Sequence, residues 1–149
     1  MREQFTNMLK TAMKAGDKRR VETLRMINAG LKDKDIEARG LGKTVSDEDI
    51  LALLQKMVKT RQESLAIYSE AGRTDLADQE REEIAIISEF LPKPLSEEDV
   101  KAAVTAAIAE TGAASVKDMG KVIGLIKTKF PGQIDVAKAS ALVKAALGA

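Results

Sequence analysis

Apolar residues recur every three or four positions along nearly the whole chain, and no segment alternates apolar and polar residues as a half-buried strand would. The spacing predicts a first helix over about residues 2–14, with Phe5, Met8, Leu9, Ala12 and Met13 on one side and Gly16 as its stop. Asp17 caps a second helix to about Ala38, where Arg39-Gly40-Leu41-Gly42 breaks the pattern. Ser46 opens a third with an acidic first turn, and Gly72 stands just past its end. A fourth starts at Thr74 and runs to Leu91, where Pro92 and Pro94 stop it: proline lacks the backbone donor and drives the preceding residue out of helical geometry. Ser96, with Glu97, Glu98 and Asp99 behind it, restarts a helix, because a hydroxyl cap and negative charge both suit free backbone amides. Three shorter helices follow, near 96–110, 115–130 and 135–147, separated by Thr111-Gly112 and Pro131-Gly132. The expected fold is all-α, with a four-helix N-terminal block (residues 1–92) joined by a Pro-rich hinge to a small three-helix C-terminal bundle (residues 93–149).

Composition narrows the chemistry. Of the 149 residues 44% are apolar and only 3% aromatic, so Leu, Ile, Val, Met and Ala must form the core, a mixture that favours helices. The chain has no His and no Cys, hence no imidazole base, no thiolate nucleophile, no disulfide and no His or Cys ligand for zinc. Most routes to catalysis are closed, and neither a cofactor nor a metal is expected. No apolar run is long enough to span a membrane, and the first residues lack the continuous apolar stretch of a signal peptide, so a cytoplasmic protein is expected.

The net charge of +1 hides two basic stretches. Residues 111–149 carry six lysines against Asp118 and Asp135, and residues 10–25 carry six lysines and arginines against Asp17 and Glu22. Such local excess suits an anionic partner, although a solvated helix face is its commoner cause.

Some charges fall on apolar faces. Arg61 lies in the stripe of Ile50, Leu54, Met57, Val58, Leu65 and Tyr68, and Arg20 lies in the stripe of Val21, Leu24, Ile27 and Leu31. On the fourth helix Glu80 sits inside the stripe of Leu76, Ala77, Ile84, Ile87 and Leu91, with Glu83 on its border. Burying an unpaired charge is very costly, so Arg20, Arg61, Glu80 and Glu83 are expected to meet as structural ion pairs. Glu80 and Glu83 also form an E-x-x-E pair of the kind that binds divalent metal in helical bundles. Those sites usually add histidine, which this chain lacks, so the structural reading is preferred.

Two further patterns fall short. GLGKT at 40–44 resembles the end of a phosphate-binding loop, but Glu37 stands where the first glycine belongs and a helix precedes it where a strand is required. No serine sits in a strained glycine-rich turn that exposes a nucleophile. The sixth helix says more. Val116, Met119, Ile123, Ile126 and Phe130 share one arc; Lys117, Lys121, Gly124 and Thr128 lie opposite, with Lys127 and Gly120 to one side. Lysines and glycines together let a phosphate backbone approach the helix closely. Alternatively Gly120 and Gly124 let another helix pack tightly while the lysines solvate the rim; on residues alone this packing reading is preferred.

Three segments carry a resemblance: TLRMINAGLKDKDIE (23–37), RQESLAIYSEAGRTDLADQEREEIAIISEFLPKPLSEEDV (61–100) and DMGKVIGLIKTKF (118–130). Together they resemble the YqeY-like family, stand-alone relatives of the C-terminal helical and tail domains of the GatB subunit of the aspartyl/glutamyl-tRNA amidotransferase. The resemblance implies an all-helical protein whose three-helix tail contacts tRNA, and makes the family's glutamine-dependent carbon–nitrogen ligase label one inherited from the multi-subunit enzyme. Met119, Gly120, Lys121, Val122 and Gly124 match the family's M-G-K-V-x-G motif, and the resemblance makes Lys121 the first candidate for an RNA contact. One departure weakens that carry-over: where the family often has G-R-A-D-G, residues 132–136 read GQIDV, with Gln133 for the arginine and Val136 for the second glycine.

Two readings of different class follow. One is a non-catalytic tRNA-binding accessory module, with Lys117, Lys121, Gly124, Lys127 and Lys138 as RNA-contact candidates. The other is a protein-interaction module that docks on an amidotransferase or an aminoacyl-tRNA synthetase without touching RNA. An enzyme with a carboxylate metal site at Glu80 and Glu83 is a weaker third.

Overall fold

The computed structural model describes residues 1–148, which form seven α-helices and one short 3₁₀ turn, with no strand among the described residues. The helices are α1 (Arg2–Ala15), α2 (Lys18–Gly40), α3 (Asp47–Glu70), α4 (Thr74–Ser88), α5 (Glu97–Thr111), α6 (Met119–Lys129) and α7 (Val136–Gly148), and the 3₁₀ turn covers Val116–Asp118. Two compact units share the chain, Met1–Leu91 and the remainder from Pro92.

Local chemistry sets the helix ends of the first unit. Gly16 adopts a left-handed φ of 70°, which costs glycine nothing, and its N–H closes α1 onto Met13 O. The Asp17 carboxylate then accepts the Arg20 N–H at 3.2 Å and starts α2. Ser46 and Asp49 form a reciprocal capping box at α3: the Asp49 N–H donates to the Ser46 hydroxyl at 3.2 Å, and the Ser46 N–H donates to the Asp49 carboxylate at 2.9 Å. The helix α4 ends at Ser88, three residues before the position the pattern predicts. The N–H groups of Phe90 and Leu91 reach back only three residues, to Ile87 and Ser88, so the last turn tightens before Pro92.

That tightened turn brings Phe90 onto Phe5, with ring centroids 4.7 Å apart and planes at 72°. Around the pair lie Ala12, Leu24, Ile27, Leu31, Ile50, Leu54 and Ile87, all buried. Each large side chain here contributes about 1.5–3 kcal/mol by leaving water. Thr23 joins them because its hydroxyl donates to Arg19 O at 2.8 Å, which satisfies the one polar group it brings inside.

The second unit has a core of smaller side chains: Ala103, Val104, Ala107, Val122, Ile126, Ile134, Ala139 and Val143. Alanine on facing helices permits close approach, so α5, α6 and α7 bury a continuous surface with a single aromatic, Phe130, packed at its margin. The chain enters this unit under restraint. The Leu95 N–H donates to Gln133 O at 3.1 Å, and the Gln133 side-chain amide donates to Lys93 O at 3.2 Å.

The buried line of α6 differs from the predicted arc. Val122 and Ile126 are buried, whereas Val116 is 42% exposed. Residues 116–118 form a 3₁₀ turn with its own angular step, so extrapolating 100° per residue back from Met119 misplaces Val116.

Candidate functional site

Asp118 fixes where α6 begins. Its carboxylate accepts the N–H groups of Ala114 at 3.0 Å and Ser115 at 3.4 Å. Those two backbone donors hold its carboxyl below the usual carboxylate range, with a smaller contribution from the Lys121 ammonium. From that start Val122 and Ile126 turn inward, and Lys117, Gly120, Lys121, Gly124, Lys127 and Thr128 are exposed. A side chain placed at Gly120 or Gly124 would meet nothing within 4 Å. No helix of this unit packs on the glycines, so the close-packing role that the small-x-x-x-small spacing suggested is not realised there. Thr128 donates its hydroxyl to Gly124 O at 2.9 Å and is thereby folded back onto the helix.

Among the described residues Lys117, Lys121 and Lys127 take part in no ion pair, whereas Lys129, at the end of the same helix, is paired with Glu110. The exposed face of α6 is therefore a strip of bare backbone flanked by ammonium groups. Lys138 is also exposed but belongs to α7, in its first turns. Gln133, at the position where the resembled motif carries arginine, spends its amide on Lys93 O and is a brace for the incoming chain.

The charges on apolar faces are resolved in two places. In the first, Arg61 Nε lies 3.0 Å from Glu83 Oε2, with the two side chains 14% and 7% exposed. The guanidinium also donates to Met57 O at 3.1 Å and contacts Met26 Sδ at 3.3 Å, and the Gln79 amide donates to Glu83 Oε1 at 3.4 Å. Glu83 is the buried member of the glutamate pair, not the border residue that the stripe implied. The periodicity did not point to Gln79 or Met26; the i,i+4 spacing of Gln79 and Glu83 was the available signal.

Arg20 and Glu80 do not join that pair. Arg20 reaches Glu89 at 2.7 Å, beyond the end of α4, while its neighbour Arg19 bridges Glu82 at 3.0 Å. Glu80 keeps one oxygen, Oε2, buried without a hydrogen-bond partner. Burial, and then the charge of Glu83, push its carboxyl above the usual glutamate range against the opposing pull of Arg61. Of the E-x-x-E carboxylates, Glu83 is thus already taken by a cation, the guanidinium of Arg61, which Glu80 feels only as a nearby charge. No group of three or more Asp or Glu side chains suited to a metal ion is found among the described residues.

Comparison with known proteins places these features. Over 83 residues the chain is 35% identical to the "Altered inheritance of mitochondria protein 41, mitochondrial" of Lachancea thermotolerans, a match covering 56% of this chain and 43% of that protein. Over 84 residues it is 32% identical to the protein of the same name from Vanderwaltozyma polyspora, covering 56% and 44%. The matches thus span less than half the length of these curated relatives. Their names place them in mitochondria, which overturns the expectation of a plainly cytoplasmic protein: the absence of a helix long and apolar enough to cross a membrane does not identify a compartment. The Yqey-like protein family matches residues 2–147, and the chain belongs to that family.

Proposed function

We propose that this protein is a non-catalytic accessory module that holds RNA of the tRNA class by its phosphates against the exposed face of α6. The observation that supports this reading most is the open strip at Gly120 and Gly124, flanked by Lys117, Lys121 and Lys127, which take part in no ion pair among the described residues. Phosphate needs cationic donors, and an extended backbone needs an unobstructed approach to reach them. Resemblance to the tail of the amidotransferase's GatB component supplies the class of RNA. In this reading α1–α4 act as one block and α5–α7 as the RNA-holding tail, with Pro92-Lys93-Pro94 as a stiff joint. Lys138 is a supporting contact on α7.

A second reading places a partner protein, an amidotransferase or an aminoacyl-tRNA synthetase, on the same strip. The spacing of Gly120 and Gly124 favours it, because two small residues one turn apart accept a partner helix as readily as a phosphate chain. Fluorescence anisotropy of labelled tRNA at low salt separates the two. The RNA reading expects saturable binding that Lys121→Glu and Gly124→Leu each weaken. Undetectable binding, together with a synthetase or amidotransferase that co-purifies through the same face, sinks it in favour of the second.

A further inference from the structure

Where α2 passes into α3, a hollow of about 320 Å³ opens on the first unit, remote in sequence from α6. Its apolar lining includes Leu41, Val45 and Leu53, and its charged lining is three lysines (34, 43 and 56) against Glu37 and Asp49. The charges are not equally available. Lys34 is held by Glu37 at 3.3 Å, and the Asp49 carboxylate is engaged by the Ser46 N–H in the capping box. Lys43 and Lys56 are exposed and, among the described residues, in no ion pair.

The wall that carries Lys43 is fixed. Gly42 takes a left-handed φ of 67°, and the Lys43 N–H donates to Ala38 O at 2.7 Å, closing the end of α2. That same turn leaves Leu41 72% exposed, the most exposed of the large apolar side chains and one that gains by being covered. The GLGKT segment, unfit to cradle a triphosphate, thus contributes to one concavity an apolar side chain and an exposed ammonium, which acts on Asp49 only through its charge.

We propose that this hollow binds a small amphipathic anion, a free organic acid with an apolar body, whose carboxylate is held by Lys43 and Lys56 while the body covers Leu41, Val45 and Leu53. Size and lining agree with this class: ligand cavities start at about 300 Å³ and are mostly apolar, with a few convergent polar groups that fix orientation. A phosphate polymer, which the face of α6 suits, has no apolar body to place against Leu41. The proposal stands independently of RNA binding.

Titration of the full-length, ¹⁵N-labelled protein with octanoate, followed by amide chemical shifts, tests it, with octylamine and octanol as the cationic and neutral counterparts. Saturable shifts are expected within residues 34–56, with octanoate bound roughly tenfold more tightly than either counterpart, one charge-assisted contact being of that order. The double variant K43Q/K56Q is expected to lose this preference while its amide spectrum elsewhere is unchanged, since both side chains are exposed. Absence of saturable shifts, shifts centred elsewhere, equal binding of all three amphiphiles, or a preference that survives K43Q/K56Q would each overturn the proposal.

Discussion

The guanidinium of Arg61 meets the carboxylate of Glu83 at 3.0 Å, and both side chains are almost wholly withdrawn from water. Surface ion pairs contribute little, but breaking a buried one leaves a charge with no solvent and no partner. Arg61→Ala is therefore expected to destabilise the first unit by roughly 3–5 kcal/mol. Tyr68 is the sole tyrosine and lies in α3, and the chain has no tryptophan, so tyrosine fluorescence during urea unfolding reports this unit alone. A loss below about 0.5 kcal/mol would mean that Glu83 finds water when Arg61 is gone.

Beside that pair, Glu80 contributes a pH dependence to the first unit opposite in sign to that of Asp35, Asp49 and Asp75, whose carboxyls are held below the usual range. Its folded carboxyl titrates above the ordinary glutamate range because of burial and the nearby charge of Glu83. Below the unfolded value both states are protonated and nothing is lost. As pH rises towards the raised folded value, the unfolded state ionises first and stability falls, because the native state binds more protons. Relative to the parent, Glu80→Gln is expected to remove this contribution and to raise stability at neutral pH. Urea midpoints measured across the acidic range, again by Tyr68 fluorescence, check it; identical profiles for variant and parent would contradict the assignment.

The T-shaped contact of Phe5 and Phe90 ties α1 to the turn after α4. Phe5 is fully buried, and Phe5→Ala is expected to cost about 3–5 kcal/mol in the unfolding of the first unit, with Phe5→Leu costing less because more of the volume remains filled. Equal losses for the two variants would show that packing volume is not what Phe5 supplies.

In the second unit, Gln133→Ala removes the amide that donates to Lys93 O. One partly exposed hydrogen bond of this kind is worth about 1 kcal/mol. Faster amide exchange near residue 95, with the α5–α7 core unaffected, is the expected outcome; a change throughout α6 and α7 would mean that Gln133 supports the bundle itself.

The helices were legible because their signals are local: Gly16, Asp17, Ser46, Gly72 and Ser96 each act within a turn of where they stand. That arginine and glutamate had to meet inside the first unit was legible from burial cost alone, but the choice of partner was not. Arg20 goes to Glu89 and leaves Glu80 without it, an outcome set by the side-by-side placement of α2 and α4 and the tightened turn after Ser88. The inward role of Val122 was missed because Val116, which lies in a 3₁₀ turn and not in α6, was counted in the apolar arc and drew it away from Val122. The exposed lysines of α6 were visible in the pattern. Whether Gly120 and Gly124 were covered depended on which helices pack where, which periodicity does not encode. The hollow between α2 and α3 was invisible, because it is made by a turn whose GLGKT sequence pointed to a different chemistry.

The central claim, that lysines beside the glycine strip of α6 hold phosphates, is tested most directly by the salt dependence of tRNA affinity. With Lys117, Lys121, Lys127 and Lys138 neutralising about four phosphates, log affinity is expected to fall against log salt with a slope near −3 to −4, and Lys121→Glu to reduce that slope by about one while weakening every tRNA alike. An affinity that ignores salt, or a slope unchanged in Lys121→Glu, would contradict it.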